Sequence, residues 1–227
     1  MIAVTSTTRP GGVDYLASTL TQINEQAPTS TRLLVLHGDC RPPKEAASWR
    51  VVFVSNTDTK SNFAPVKVAI EQAETLGEDL VLLEDDIHIA PGGVKYMEVF
   101  HVPQDLVLIT FHECIFGGAF TPCGLFRGPG ATFIMAQALK IPARSYDLLL
   151  RAPAIQKNPH ALTDEALANV LRGQQIGYHV PAAVQHIGKV SAIRRPGHLF
   201  HQTKTFAGDS GSMLDILQQP QYKELFS

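Results

Sequence analysis

No run of apolar residues in this 227-residue chain approaches the roughly 20 needed to cross a bilayer as a helix, which excludes a helical membrane protein. The opening Met1-Ile2-Ala3-Val4-Thr5 has no basic region leading into a long apolar one, so the expectation is a cytoplasmic protein without a secretory leader. Cysteine is scarce. Cys40, Cys114 and Cys123 are odd in number and lack CxxC spacing, which indicates neither a disulfide framework nor a cysteine zinc site, and all three read as reduced. With 18% charged and 44% apolar residues, the chain lacks the composition of a disordered protein and has the length for a single large core.

Charge of one sign is also missing over a long stretch. Between Glu165 and Asp209 there is no acid at all, while Arg172, Lys189, Arg194, Arg195 and Lys204 fall there together with four histidines. Residues 1–113 hold 8 Lys/Arg against 15 Asp/Glu and residues 114–208 hold 10 against 3, so the overall charge of −2 conceals regions of −7 and +7. Two readings stand: uneven charge within one folded domain, or a surface for phosphates.

What the chain does have is an unbroken apolar run, Leu80-Val81-Leu82-Leu83, closing on Glu84-Asp85-Asp86. The run reads as a buried strand. Three carboxylates that close repel one another, so something positive must compensate them, and a hard divalent cation with oxygen ligands is the usual solution. A solvated acidic turn is the plain alternative; Ile87 and Ile89, which follow at once, weigh against a polar loop. In an open α/β sheet, ligands collect at the carboxyl ends of the strands, where this cluster falls.

The first half alternates in period. Strands are predicted at Ile2–Thr7, Arg32–His37, Val51–Ser55, Asp79–Glu84 and Asp105–Phe111, with helices at Val13–Gln26 and at Pro65–Leu76, the latter closed by Gly77. This order predicts an α/β fold with a mostly parallel sheet and helices on both faces. The second half is richer in Gly and Pro. There Arg127-Gly128-Pro129-Gly130 leads to a predicted strand at Ala131–Met135, followed by helices at Ala143–Leu150 and Asp164–Leu171, a strand at Ile176–Pro181 and a tail over 192–227.

Thr5-Ser6-Thr7-Thr8-Arg9-Pro10-Gly11-Gly12 joins the first strand to the first helix, and its hydroxyls, amides and guanidinium suit a nucleotide. The order Thr7-Thr8-Arg9, then Asn62-Phe63-Ala64 with Lys67 opening a helix, then Leu82-Leu83-Glu84-Asp85-Asp86 resembles the nucleotide-sugar half of GT-A fold glycosyltransferases. In that family an acidic DxD-type motif closes a strand; here it is written Glu-Asp-Asp. The resemblance continues through Thr163-Asp164-Glu165-Ala166-Leu167 and Val184-Gln185-His186-Ile187-Gly188-Lys189-Val190-Ser191.

The resemblance implies a Rossmann-like GT-A sheet with an irregular C-terminal acceptor portion. Residues 1–113 would form the nucleotide-sugar half and 114–191 the acceptor half of one domain. It also implies that Asp86 holds Mn²⁺ or Mg²⁺ with His186 completing the metal site. Asp85 would meet the donor ribose or the metal's water shell. Thr7, Thr8, Arg9, Asn62, Lys67, Glu84 and Lys189 would contact a UDP-sugar donor, and an acid at Asp164 or Glu165 would face the acceptor.

Sugar transfer expels a nucleoside diphosphate with growing negative charge, so cations must neutralise it; inversion at the anomeric carbon further needs a base for the acceptor hydroxyl. Asp164 is the first candidate for the base and Glu165 the second. An equally plain role for Asp164 is stabilising the start of its helix. For His186 the plain role is a structural hydrogen bond. His112-Glu113 either line the acceptor cleft or end a strand, Gly128 and Gly130 either admit the sugar or form turns, and Trp49 reads as packing.

Other classes fit less well. An apolar strand ending in acids also describes P-loop ATPases, but no GxxxxGK followed by Ser or Thr occurs. Sugar nucleotidylyltransferases carry a Gly-rich loop with a lysine after strand one, which Thr5–Gly12 lacks. A non-catalytic sugar- or nucleic-acid-binding module is the alternative from outside the enzymes. For the acceptor, the +7 region admits double-stranded DNA with hydroxymethylated bases, as in phages, with Arg194 and Arg195 on its backbone; a polysaccharide or lipid-linked sugar fits nearly as well.

Overall fold

Consecutive residues of the first strand serve opposite faces of one sheet: Ile2 and Val4 belong to one apolar cluster and Ala3 to another. The computed structural model describes residues 1–9, 14–55, 63–112, 124–133, 136–151, 163–188, 203, 205–207 and 215. Over these, the chain runs β1 (Ile2–Thr7), α1 (Leu16–Gln26), β2 (Arg32–His37), β3 (Arg50–Val54), α2 (Phe63–Leu76), β4 (Leu80–Glu84), β5 (Ile87–Ile89), α3 (Gly93–Val99) and β6 (Ile109–Thr110). It continues with β7 (Gly124–Pro129), β8 (Ala138–Ile141), α4 (Tyr146–Arg151), α5 (Thr163–Val170), β9 (Gln175–Val180) and β10 (Val184–His186).

Eight strands form one sheet in the order β3-β2-β1-β4-β8-β6-β9-β7. The pairs β3·β2, β2·β1, β1·β4 and β6·β9 are parallel, while β8 and β7 run antiparallel to their neighbours. The inner strands β1, β2 and β4 carry near-continuous apolar runs because both of their faces are covered, whereas the outer strands β3 and β7 are partly open to water, with Phe53 of β3 exposed. Helix α1 buries Leu16, Leu20 and Ile23 at helical spacing on one face. Helix α2 buries Phe63, Val66, Ile70 and Ala73 on the other and stops at Gly77, whose φ of +66° suits a residue without a Cβ.

Two predicted strands are redrawn. Asp105–Phe111 contributes a regular ladder only at Ile109–Thr110, and where a strand is predicted at Ala131–Met135 the described residues begin with a 3-10 turn, Gly130–Thr132; residues 134 and 135 lie outside the described residues. The strand is instead Gly124–Pro129, where the glycines and proline had suggested a turn. It is an edge strand, the position at which a missing proline N–H and a side-chain-free residue are tolerated. Gly128 and Gly130 each have a packing reason to lack a side chain. A Cβ on Gly128 would lie 2.8 Å from the Tyr178 ring, and one on Gly130 would lie 2.4 Å from the Leu171 carbonyl oxygen. Trp49 does pack, 6% exposed, with its indole N–H given to Asn24 at 2.9 Å.

A second sheet is a ribbon of two strands, β5 and β10, antiparallel with His186 opposite Ile87. It carries the two halves of the site to each other. Part of the predicted tail is built into this region: Phe206 is in the core, and Ala182 and Thr205–Ala207 exchange backbone hydrogen bonds of 3.0 and 2.9 Å.

Candidate active site

Strand β4 ends at the carboxyl edge of the parallel strands, and the next two residues are buried acids, Asp85 at 3% and Asp86 at 6% exposure. Charges this deep need partners. Arg9, just past the end of β1, supplies them: Nη1 donates to Asp85 Oδ2 and Nη2 to Asp85 Oδ1, both at 2.6 Å, and Nη2 lies 3.0 Å from Asp86 Oδ2. The Ser6 hydroxyl donates to Asp85 Oδ2 at 2.5 Å. Burial opposes the guanidinium's charge, but the hydrogen bond to Asp85 and the negative charges of Asp85, Asp86 and Glu84 outweigh it and hold Arg9 above its ordinary pKa. The guanidinium also lies over the Tyr15 ring, 5.3 Å from its centroid. Helix α1 fixes the acidic turn from beneath, through the Thr19 hydroxyl, which donates to the carbonyls of Asp85 and Ile87 at 2.7 and 3.1 Å.

Asp86 has a second partner from far along the chain. His186 Nε2 lies 3.1 Å from Asp86 Oδ2, and the Ile187 N–H donates to the Asp86 carbonyl at 2.9 Å, continuing the ribbon. Burial alone would raise the Asp86 pKa; the contacts with His186 and Arg9 overcome it and hold the carboxyl below its ordinary value. Its other oxygen, Oδ1, is buried and has no hydrogen-bond partner among the described residues. Gly188 is glycine for a local reason: a Cβ there would stand 2.0 Å from Asp86 Oδ2 and 2.9 Å from His186 Nε2. The His112 ring lies edge-on to that of His186, 6.3 Å between centroids.

The third side of the site is Asp164, in the first turn of α5. Its carboxylate accepts a backbone hydrogen bond from Ala136, yet burial, with a contribution from Glu165, pushes its pKa up to about 7. Asp164 also shares its field with the cluster. Glu84 is held well above its ordinary pKa by burial first and then by the charges of Asp86, Asp164 and Asp85. Glu165 is exposed.

A cleft of about 130 Å³ opens beside Arg9, walled by residues 6–9, Asp14 and Leu16 on one side and by Cys40, Arg41 and Asp85 on the other. The structure therefore brings together Thr7, Thr8, Arg9, Glu84, Asp85, Asp86, Asp164 and His186. Lys67 is on the exposed face of α2, 3.6 Å from Glu71. Asn62, Lys189, Arg194 and Arg195 lie outside the described residues. Residues not singled out from sequence include Cys40 and Arg41, which follow β2. The parallel topology puts the end of β2 on the same edge as the acids, and that rule alone could have pointed to them. Among the described residues no helix is long and apolar enough to cross a membrane, and no three His, Cys, Asp or Glu side chains form a group that could hold a metal ion.

No family model matches the sequence, and no curated protein matches it. Solved structures do match the fold. TarS of S. aureus, residues 1–349, is similar with a TM-score of 0.51 at 15% identity over 81% of this chain and 59% of that one. A galactosyltransferase, LgtC, in complex with donor and acceptor sugar analogs gives 0.48 at 10% identity over 78% and 72%. A mannose-1-phosphate geranyltransferase from Thermus thermophilus gives 0.46 at 12% identity over 78% and 73%. The architecture is the GT-A glycosyltransferase fold, a mixed α/β sheet with most strands parallel.

Proposed function

We propose that this protein transfers a sugar from a nucleoside diphosphate sugar, with UDP the expected nucleotide, to an acceptor hydroxyl with inversion. One observation carries the reading. Asp86 and His186, 100 residues apart, meet at 3.1 Å on the carboxyl edge of a GT-A sheet, with Asp164 in the same electrostatic field.

The donor set suits Mn²⁺ or Mg²⁺. Asp86 Oδ1 is buried without a partner, His186 Nε2 stands beside Oδ2, and Gly188 keeps the space next to both clear. Two protein ligands fall short of a full coordination shell, and hard cations at phosphate-transfer sites are commonly held by one or two carboxylates together with the substrate's phosphates. When bound, such an ion would neutralise the charge that grows on the leaving diphosphate.

The chain's own groups supply the rest. The hydroxyls of Ser6, Thr7 and Thr8 and the Arg9 guanidinium line the cleft, in the βα position where a nucleotide binds. Asp164 accepts the proton of the acceptor hydroxyl as its oxygen bonds to the anomeric carbon and the bond from that carbon to the phosphate oxygen breaks. A pKa of about 7 suits this work, since the carboxylate is available at neutral pH and basic enough to take a proton. The test is release of nucleoside diphosphate from UDP-sugars with and without Mn²⁺, including slow hydrolysis without an acceptor. Donor binding with no release under any of these conditions would favour a non-catalytic binding module.

The +7 region is compatible with a polyanionic acceptor, and duplex DNA with hydroxymethylated bases is the one proposed, with a polysaccharide or lipid-linked sugar fitting nearly as well. Three of its ten cations have other duties, however: Arg127 pairs with Asp105 at 2.7 Å, Lys140 is buried, and Arg144 donates to three backbone carbonyls. The DNA reading therefore leans on Arg194, Arg195 and their neighbours. A gel-shift titration of duplex DNA over several salt concentrations tests it, because phosphate contacts make affinity fall steeply with salt. Absence of binding even at low salt leaves a polysaccharide or lipid-linked sugar as the acceptor.

A further inference from the structure

We propose that Arg9 is a built-in counter-ion which a divalent cation must displace from Asp86, so that metal binding frees one guanidinium N–H for the donor diphosphate. This rests on the metal-dependent reading of the site given above. The acidic turn already carries its compensating charge: the Arg9 side chain is only 8% exposed, and its fork and its third contact are spent on the two acids. A divalent ion on Asp86 would face that guanidinium across a single carboxylate, and in partly buried surroundings repulsion at such range far exceeds thermal energy.

The geometry makes the exchange small. Both oxygens of Asp85 are held by the fork at 2.6 Å, so Arg9 can open its single 3.0 Å contact with Asp86 without leaving Asp85. Asp86 then keeps His186 and its unpartnered Oδ1 for the ion. The freed N–H belongs to a side chain that lines the cleft, where a diphosphate oxygen can accept it. Each ligand thus removes an obstacle to the other, and by linkage the two bind with positive coupling.

Mn²⁺ binding, followed by electron paramagnetic resonance on the full-length protein with and without UDP, tests this. Arg9→Gln should bind Mn²⁺ alone about tenfold or more tightly than wild type, because the competing charge is gone. The gain in Mn²⁺ affinity on adding UDP should be smaller in the variant than in wild type. Arg9→Lys retains the charge and so protects folding, but an ammonium lacks the fork needed to hold both acids at once, and its Mn²⁺ affinity should fall between the two. Either folded variant binding Mn²⁺ no more tightly than wild type would overturn the proposal while leaving the metal site standing. No Mn²⁺ binding by any form, even with UDP, would overturn both.

Discussion

The two walls of the site are built to different depths. The wall proposed to hold the donor stands on β1, β2 and β4, which pair in parallel over four to six residues and are covered on both faces by two apolar clusters. The wall that brings His186 is a strand of three residues paired, among the described residues, with β5 alone, and steadied by Thr205–Ala207 against Ala182. Rigid sheet holds the acids, and a ribbon brings the partner that completes them. Substitutions on the donor wall should therefore disturb charge balance within a stable frame, whereas those on the ribbon should dismantle the site with the core left intact.

The largest effect should come from Asp86→Ala, which removes the one residue both walls share. Turnover measured as nucleoside diphosphate release should be abolished, while thermal melting stays near wild type, because Arg9 keeps its fork on Asp85. Full activity in this variant would break the comparison at its centre. Asp164→Asn should follow, with kcat lower by about 10²- to 10⁴-fold and little change in donor KM, as expected for loss of a general base. Wild-type kcat should rise with pH through about 7 as Asp164 loses its proton, and the variant should lack that limb. Stability carries the opposite sign. A carboxyl whose pKa is raised on folding binds its proton more tightly in the native state, so it costs stability as pH climbs from its unfolded value of 3.8 to about 7. Chemical denaturation of Asp164→Asn against wild type should diverge over that window in favour of the variant and agree below it.

On the ribbon, His186→Ala should weaken Mn²⁺ binding by about tenfold or more with little effect on melting, since the ring is a partner of Asp86 rather than of the core. Gly188→Ala sharpens the point. Its added methyl would fall between Asp86 and His186, so Mn²⁺ binding and turnover should drop together although no polar group has been removed. Isothermal titration with Mn²⁺ on both variants is the check, and unchanged affinity in both would move the metal away from this pair.

The same contrast decides what the sequence could reveal. Strands β1 and β2 have their predicted bounds because unbroken apolar runs between polar ends leave few alternatives in a sheet buried on both faces. Helix α5 begins one residue from its predicted start for a similar reason, with two acids opening an apolar-periodic stretch. The ribbon was out of reach. A three-residue strand has too little pattern to be read, and its pairing of His186 with Ile87 spans almost half the chain. The nearness of His186 to Asp86 could be expected only from the resemblance to GT-A enzymes, and the pairing of the Arg9 guanidinium with both acids was not legible in the sequence, because it depends on how the segment after β1 folds back over β4.

The smallest effect should be at Lys67, on the donor side but away from the cleft. The family resemblance implies a donor contact, yet the ammonium is 48% exposed and pairs with Glu71 at 3.6 Å one helical turn on. An exposed pair at this spacing contributes only about 0.3–0.5 kcal/mol, so Lys67→Ala should barely shift the melting temperature. Long-range attraction between an exposed ammonium and a diphosphate is screened within about 8 Å at physiological ionic strength, which caps any help in binding. A rise of a few-fold in donor KM, fading as salt is added and with kcat unchanged, is the expected result. A KM that does not move at low salt would remove Lys67 from the donor wall and confine that wall to the segment after β1, the end of β2 and the acidic turn.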